Sequence, residues 1–332
     1  MITPRATRLI RAADLRAFHR AIVTCLPADA AAARDCAVIV PSRSAAEELR
    51  RTIENLCLVS DGVLALPDIV TRDELYARLR ERMPGAPAAL TAFDREVLLR
   101  RSAHAAHTAG AEPPFNLRPG LIGEILALYD ELRRRHKTVA DFDRLMTGTL
   151  ESSAPYDRGA ARLLAQTVFL TATFQAFERA RAEIAGVDEH GVRELAIGSA
   201  SPLYRRLVVT VADQVADRRG LWAADFDLFA RMPFVETIDV VSTEALLGSG
   251  YYERLHDSLL PGIQDVRLED SPSPLPVLVV PEPAPGAELS RSFVCRDREE
   301  ELAEFVRALK AAPRTTPLGR TAIVFQRPLP YL

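Results

Sequence analysis

Residues 208–217, VVTVADQVAD, join a β-branched apolar run to two carboxylates four positions apart. A buried strand that ends on an aspartate sets that carboxylate at a sheet edge, where it can hold magnesium against a phosphate. Asp213 and Asp217 are thus the first candidates for chemistry; the other role open to them is to form the turn and cap the next helix. His104 and His107 stand three apart in AHAAH, a spacing that suits zinc, but no Cys or Glu partner lies nearby and a solvated role is expected. The basic run LRRRHK (132–137) sits at a helix end, where it complements the dipole or offers a phosphate patch. RDREEEL (296–302) reads as a helix start with an exposed face. Trp222, Tyr251 and Tyr252 are expected to pack, with base stacking on either tyrosine the sharper alternative. No G-x-S-x-G occurs, so Ser-His-Asp chemistry has no support.

Composition narrows the classes. At 332 residues the chain is long enough for two domains and part of a third. A net charge of −3 gives no global field to attract nucleic acid, so such a site must be a local patch or come from a partner. Cys25, Cys36, Cys57 and Cys295 are widely spaced with no CxxC, which implies reduced, mostly buried thiols and a cytoplasmic protein. The charged N-terminal stretch offers no signal-peptide core, and no apolar window is long enough for a membrane span.

The elements that must position these residues alternate in the first ninety positions. LRAFHRAIVTCL (15–26) carries apolar residues at helical spacing. Residues 36–40 form a short β-branched run, ended by Pro41, with Ser44 expected to cap a helix from Ala45 and Glu47 to close the box. A second run at 63–66 precedes a helix capped by Thr71 with Glu74. The alternation implies a parallel α/β sheet. From about 92 to 195 the pattern is helical throughout, as in an inserted helical domain. Strand character returns at 207–211 and 236–243, with WAADFDLFARM a helix between them. Residues 271–286 read as a proline-rich linker, followed by a charged helix and the strand-like TAIVFQRP. The chain stops a few residues later, as a fragment of a longer protein would.

In this order the segments resemble superfamily 1 DNA helicases. PSRSAAEEL (41–49) is similar to the first DNA-contacting motif, with Ser42 at its threonine, and VTRDELYARL (70–79) to the second, with Thr71 as the hydroxyl. ADQVAD (212–217) stands where D-E-x-Q-D belongs, and VVSTEALLGSGYYERL (240–255) where G-D-x-x-Q belongs. Arg327 lies near the family's phosphate-contacting arginine. The resemblance implies a P-loop NTPase-like (RecA-like) parallel-sheet α/β domain at 1–90 and 196–285. It also implies a large inserted α-helical domain at 91–195 and the start of a second α/β motor-like domain at 286–332.

The departures set the expected activity. A motor needs G-x-x-x-x-G-K-[ST], yet RLIRAADLRAFHRAI has neither glycine nor lysine, and Asp14 and Arg16 occupy the region. Gln214 replaces the glutamate that would activate water, and Ala216 the glutamine that senses nucleotide. Asp213, Gln214, Asp217 and Arg327 are then vestiges of a nucleotide and metal site, and no ATP, magnesium or other cofactor is expected. This pattern resembles the inactivated helicase-like subunits of bacterial helicase–nuclease complexes, in which a C-terminal PD-(D/E)xK nuclease or its degenerate relative follows. The expected function is a non-hydrolysing DNA-binding and scaffolding module in double-strand-break repair and recombination. Its partners would be single-stranded or duplex-end DNA and a motor subunit or its own C-terminal nuclease, with no membrane. Ser42, Arg43, Thr71 and Arg72 are the expected phosphate contacts. The alternatives are an active DNA-dependent ATPase with an aberrant P-loop, and a protein scaffold that never touches DNA.

Overall fold

The computed structural model describes residues 5–13, 15–27, 29–57, 65–259, 262–267 and 298–311. The chain divides into two compact units, Met1–Ser271 and Pro272–Leu332. In the second, one helix, α13 (Arg298–Ala311), is described, with an Arg307–Glu304 ion pair one turn apart. Arg327 and the strand expected around it lie outside the described residues.

The first unit is built on six strands: β1 (Ala6–Ala12), β2 (Cys36–Ile39), β3 (Asp68–Val70), β6 (Arg206–Val209), β7 (Thr237–Thr243) and β8 (Gln264–Arg267). They are ordered β3-β2-β6-β7-β1-β8, and every pairing is parallel. Two short strands, β4 (Ala88–Ala89) and β5 (Gly186–Val187), make a separate parallel pair. Around the sheet lie α1 (Leu15–Cys25), α2 (Ala30–Arg34), α3 (Arg43–Cys57) and α4 (Arg72–Arg82). Between β4 and β5 come α5 (Ala92–Thr108), α6 (Pro119–Arg134), α7 (Val139–Leu150) and α8 (Arg158–Glu183). Then follow α9 (Glu189–Ile197), α10 (Ala223–Arg231), α11 (Glu244–Leu246), a kinked turn Leu247–Tyr251, and α12 (Tyr252–Ser258).

Strand alternation decides which face each helix covers. Ile10, Val38, Val208 and Val241 point to one face, where Ile22 and Cys25 of α1 and Leu49 and Ile53 of α3 cover them. Leu9, Ile39, Leu207, Val209 and Val240 point to the other, under α4, α9, α10 and α12. Both faces are dry, which is why 36–39 and 207–209 read as unbroken apolar runs. The helices α5 to α8 close a core of their own around Tyr129, Phe169, Phe174 and Phe177. Buried among α1 and β2, the thiols of Cys25 and Cys36 are both pushed up to about 12, chiefly by loss of water. No helix among the described residues is long and apolar enough to cross a membrane.

Several expectations move. β1 was not expected: Arg8 and Arg11 interrupt its apolar pattern, but Arg8 pairs in register with Asp239 of β7 and grips its fully buried carboxylate at 2.6 and 2.8 Å. Of the strand expected at 63–66, positions 63 and 64 lie outside the described residues and 65 and 66 are not strand; the observed β3 is Asp68–Val70. The helix after β2 starts two residues earlier than expected, because the Ser42 hydroxyl, not that of Ser44, accepts the Ala45 N–H at 3.2 Å. β5 interrupts a stretch expected to hold no strand.

Candidate functional site

In a parallel sheet every strand delivers its following loop to the same edge. Here that edge gathers the positions after β1 (13), β2 (40–42), β3 (71), β6 (210–222) and β7 (244–251). Their local chemistry differs sharply.

After β1 only two positions precede α1, one of them Asp14, and neither is glycine. A connection this short cannot wrap its amides around a pyrophosphate. Beside it Arg11 bonds Asp265 at 2.9 Å and Glu244 at 3.0 Å, with its guanidinium 4.9 Å from the Tyr252 ring.

After β6 the chain makes a stitched loop. Leu221 N–H donates to the Ala212 carbonyl at 2.7 Å, and Gln214 N–H to the Leu221 carbonyl at 2.9 Å. The Asp213 carboxylate accepts the Ala216 N–H at 3.0 Å, and that of Asp217 accepts the Arg219 N–H at 2.9 Å. Both acids therefore perform the turn-forming role open to them. Asp213 does more: Arg254, from α12, clamps both its oxygens, Nη2 to Oδ1 at 3.0 Å and Nε to Oδ2. The guanidinium stands where a cation bound to this carboxylate would stand. Gln214 donates from its side chain to the Arg218 carbonyl at 3.3 Å.

The strand-end residues expected to hold DNA phosphate are mostly engaged within the chain. Ser42 caps α3. The Thr71 backbone N–H and hydroxyl both donate to Glu74, at 2.9 and 3.0 Å, the capping box expected there. Arg43 is exposed and reaches Glu74 at 2.8 Å. Arg72 is 13% exposed and lies inside a charge network. It bonds Asp225 at 2.8 Å and Glu189 at 2.9 Å, while Asp225 also accepts the Tyr76 hydroxyl at 2.7 Å and the Trp222 N–H at 2.8 Å. Arg134 grips Glu189 through two bonds at 2.6 and 3.0 Å. Burial alone would lower the Arg72 pKa, but Asp225 and Glu189 outweigh it and raise the value. Burial alone would raise the Glu189 carboxyl; Arg134 and Arg72 instead hold it well below the usual carboxylate range.

The network continues into the inserted helices. Asp130 of α6 meets Arg95 of α5 and His190 of α9, the last at 2.9 Å, and Asp188 meets Arg181 at 2.9 Å. Ligand atoms of Asp130, Glu189 and His190 lie within 4.8 Å of one another, but both carboxylates already serve arginines. The arginines of the basic run at 132–137 are engaged likewise: beside Arg134, Arg133 bonds Glu194 at 3.0 Å and Arg135 bonds Glu131 at 2.7 Å, while Lys137 is exposed. Tyr251 is buried and cannot stack a base, whereas Trp222 is half-buried, with the Arg134 and Arg135 guanidiniums each 5.8 Å from its ring. His104 and His107 are exposed, as expected.

Two cavities flank the loop after β6. One, of about 290 Å³, lies above the ends of β2, β3 and β6 and is lined by Pro41, Thr71, Arg72, Arg134, Arg218 and Arg219 among others. The second, of about 460 Å³, is lined by Trp222, Phe226, Tyr251, Leu255 and the Asp213–Arg254 pair among others. Arg218 and Arg219 attracted no attention in the sequence; the only signal was their adjacency in a strand-end loop. The chain matches no protein-family model, and no curated protein matches it.

Proposed function

We propose that this chain is a non-hydrolysing, RecA-like, helicase-like module of a helicase–nuclease. It guides or clamps single-stranded DNA and scaffolds a motor subunit or nuclease in double-strand-break repair. One observation carries this reading: at the end of β6, the acid that would hold magnesium is neutralised by Arg254. It is supported by the six-stranded parallel sheet, which brings the ends of β2, β3 and β6 to one edge, and by the large helical insertion between β4 and β5. A scaffold without DNA contact is the second reading, favoured by the engagement of Ser42, Thr71 and Arg72 within the chain.

The chemistry makes a direct prediction for catalysis. Phosphate release from Mg-ATP in the presence of single-stranded DNA is expected at background, with Asp213→Ala indistinguishable from the parent. Turnover that Asp213→Ala abolishes would overturn the non-hydrolysing reading. For binding, fluorescence anisotropy with oligo-dT at low salt should show an affinity that weakens as salt is added. No binding, with a partner subunit co-purifying, selects the scaffold.

A further inference from the structure

The geometry points to a phosphate-ester site in the crevice above β2, β3 and β6, with Arg218 and Arg219 as its contacts and the cavity beyond Trp222 receiving the attached sugar or base. The crevice exists because the chain parts there. β2 passes into α3 on one face of the sheet, while its neighbours β3 and β6 pass into α4 and α10 on the other. Open parallel sheets bind ligands at such switch points, outside the carboxyl ends of their strands.

Charge separates the arginines of the crevice into two kinds. Arg72 and Arg134 are neutralised from behind by Asp225 and Glu189 and form its wall. Arg218 and Arg219 are exposed, and neither side chain has an ion-pair or hydrogen-bond partner among the described residues. Asp73, which also lines the crevice, is held by Arg72 at 3.2 Å. The backbone beneath the two free side chains is fixed: Gln214 holds the Arg218 carbonyl and Asp217 holds the Arg219 N–H. Two unpaired guanidiniums are available to an anion, and the loop backbone that carries them is already held in place, so the ordering cost falls on the side chains alone.

The neighbouring cavity gives the anion its attachment. The two cavities share Gln214, Leu221 and Trp222 as a common wall. At about 460 Å³, with Trp222, Phe226 and Leu255 in its lining, the second is of a size and character that suits a small organic ring. A phosphate on one side of the wall and a ring on the other make one nucleotide unit. Whether that unit belongs to a DNA strand rests on the proposed function; the phosphate chemistry does not.

Trp222 is the sole tryptophan of the chain, so its emission reports on this wall directly. Oligo-dT and thymidine monophosphate are titrated into the full chain, following anisotropy or calorimetry together with Trp222 emission. The parent is compared with Arg218→Ala/Arg219→Ala and with Arg158→Ala/Arg162→Ala, which removes the same charge from exposed positions on α8. The expected result is oligo-dT binding that changes Trp222 emission. The crevice variant should weaken it about tenfold or more and reduce the salt slope by about 1 to 2, with the α8 variant near the parent. Binding of thymidine monophosphate but not oligo-dT, lost in the crevice variant, keeps the site and rejects the DNA reading. Equal oligo-dT affinity in both variants rejects the site and keeps the DNA reading. Binding without a change in Trp222 emission removes the ring from the second cavity, and no binding of either ligand overturns the site altogether.

Discussion

Replacing Arg72 with alanine is expected to lower the unfolding free energy by about 3–5 kcal/mol, because it strands two buried acids. Asp225 is 1% exposed and Glu189 16%, and both lie against the Arg72 guanidinium. Asp225 keeps the Tyr76 hydroxyl and the Trp222 N–H, and Glu189 keeps Arg134, so the site is damaged rather than emptied. Thermal denaturation should show a midpoint lower by roughly 6–20 °C. The double variant Arg72→Ala/Asp225→Asn should recover part of the loss, since the deeper charge is then gone. An Arg72→Ala protein as stable as the parent, with weakened oligo-dT binding, would show that Arg72 spends its charge on DNA instead.

The same network sets an acid limit on stability. Glu189 and Asp130 are both held below their ordinary values of 4.5 and 3.8, despite burial, by Arg134 and Arg72 and by His190 and Arg95 respectively. A carboxyl lowered by folding stabilises fully above its unfolded value and loses that contribution as pH falls towards the folded one. Urea midpoints should therefore fall progressively below about pH 4.5. Arg72→Ala should flatten that decline, because it removes one cause of the Glu189 shift.

Gly220→Ala is the second large effect, about 3 kcal/mol of destabilisation. A Cβ at Gly220 would lie 2.4 Å from the carbonyl carbon and oxygen of Asp213 and 2.6 Å from the Ala212 carbonyl oxygen. These are backbone atoms, and the hydrogen bonds Leu221 to Ala212 and Gln214 to Leu221 hold both sides of the loop in place. The loop must open, which carries Arg218 and Arg219 away from the crevice and moves Trp222. A melting point lower by roughly 6–12 °C and a shifted Trp222 emission are expected together. A melting point within a degree or two of the parent would mean that the loop yields freely.

How much of this was legible depended on whether a residue's environment shows in its neighbours. Strands β2, β6 and β7 were readable because both faces are buried, so their apolar residues run together. β1 and β8 were not: ATRLIRA and QDVR carry charges whose partners, Asp239 and Arg11, come from distant segments that only the fold brings alongside. The capping box of Thr71 and Glu74 was legible because its partners are three residues apart. Asp213 in the loop after β6 was legible as a strand-end acid, yet its partner Arg254 lies 41 residues on, in a segment whose resemblance to G-D-x-x-Q says nothing of that arginine. Arg72 shows the same limit from the cationic side. An arginine waiting for phosphate and one locked to Asp225 are the same letter, and only burial tells them apart.

The pairing of β4 with β5 bears on what could occupy their gap. The chain leaves the pair at Ala89 and returns at Gly186 running in the same sense, so it enters alongside itself rather than folding back. Parallel neighbours cannot be joined by a tight turn; they require a crossover of about a dozen residues or more. The four helices α5 to α8 are thus one such crossover grown to domain size, and the pair is a socket. Arg72, Glu189 and Asp225 all sit on the sheet side of it, in α4, α9 and α10. A different module with ends about one strand spacing apart, leaving and returning in the same direction, could be grafted between Ala89 and Gly186 with those three residues still in contact.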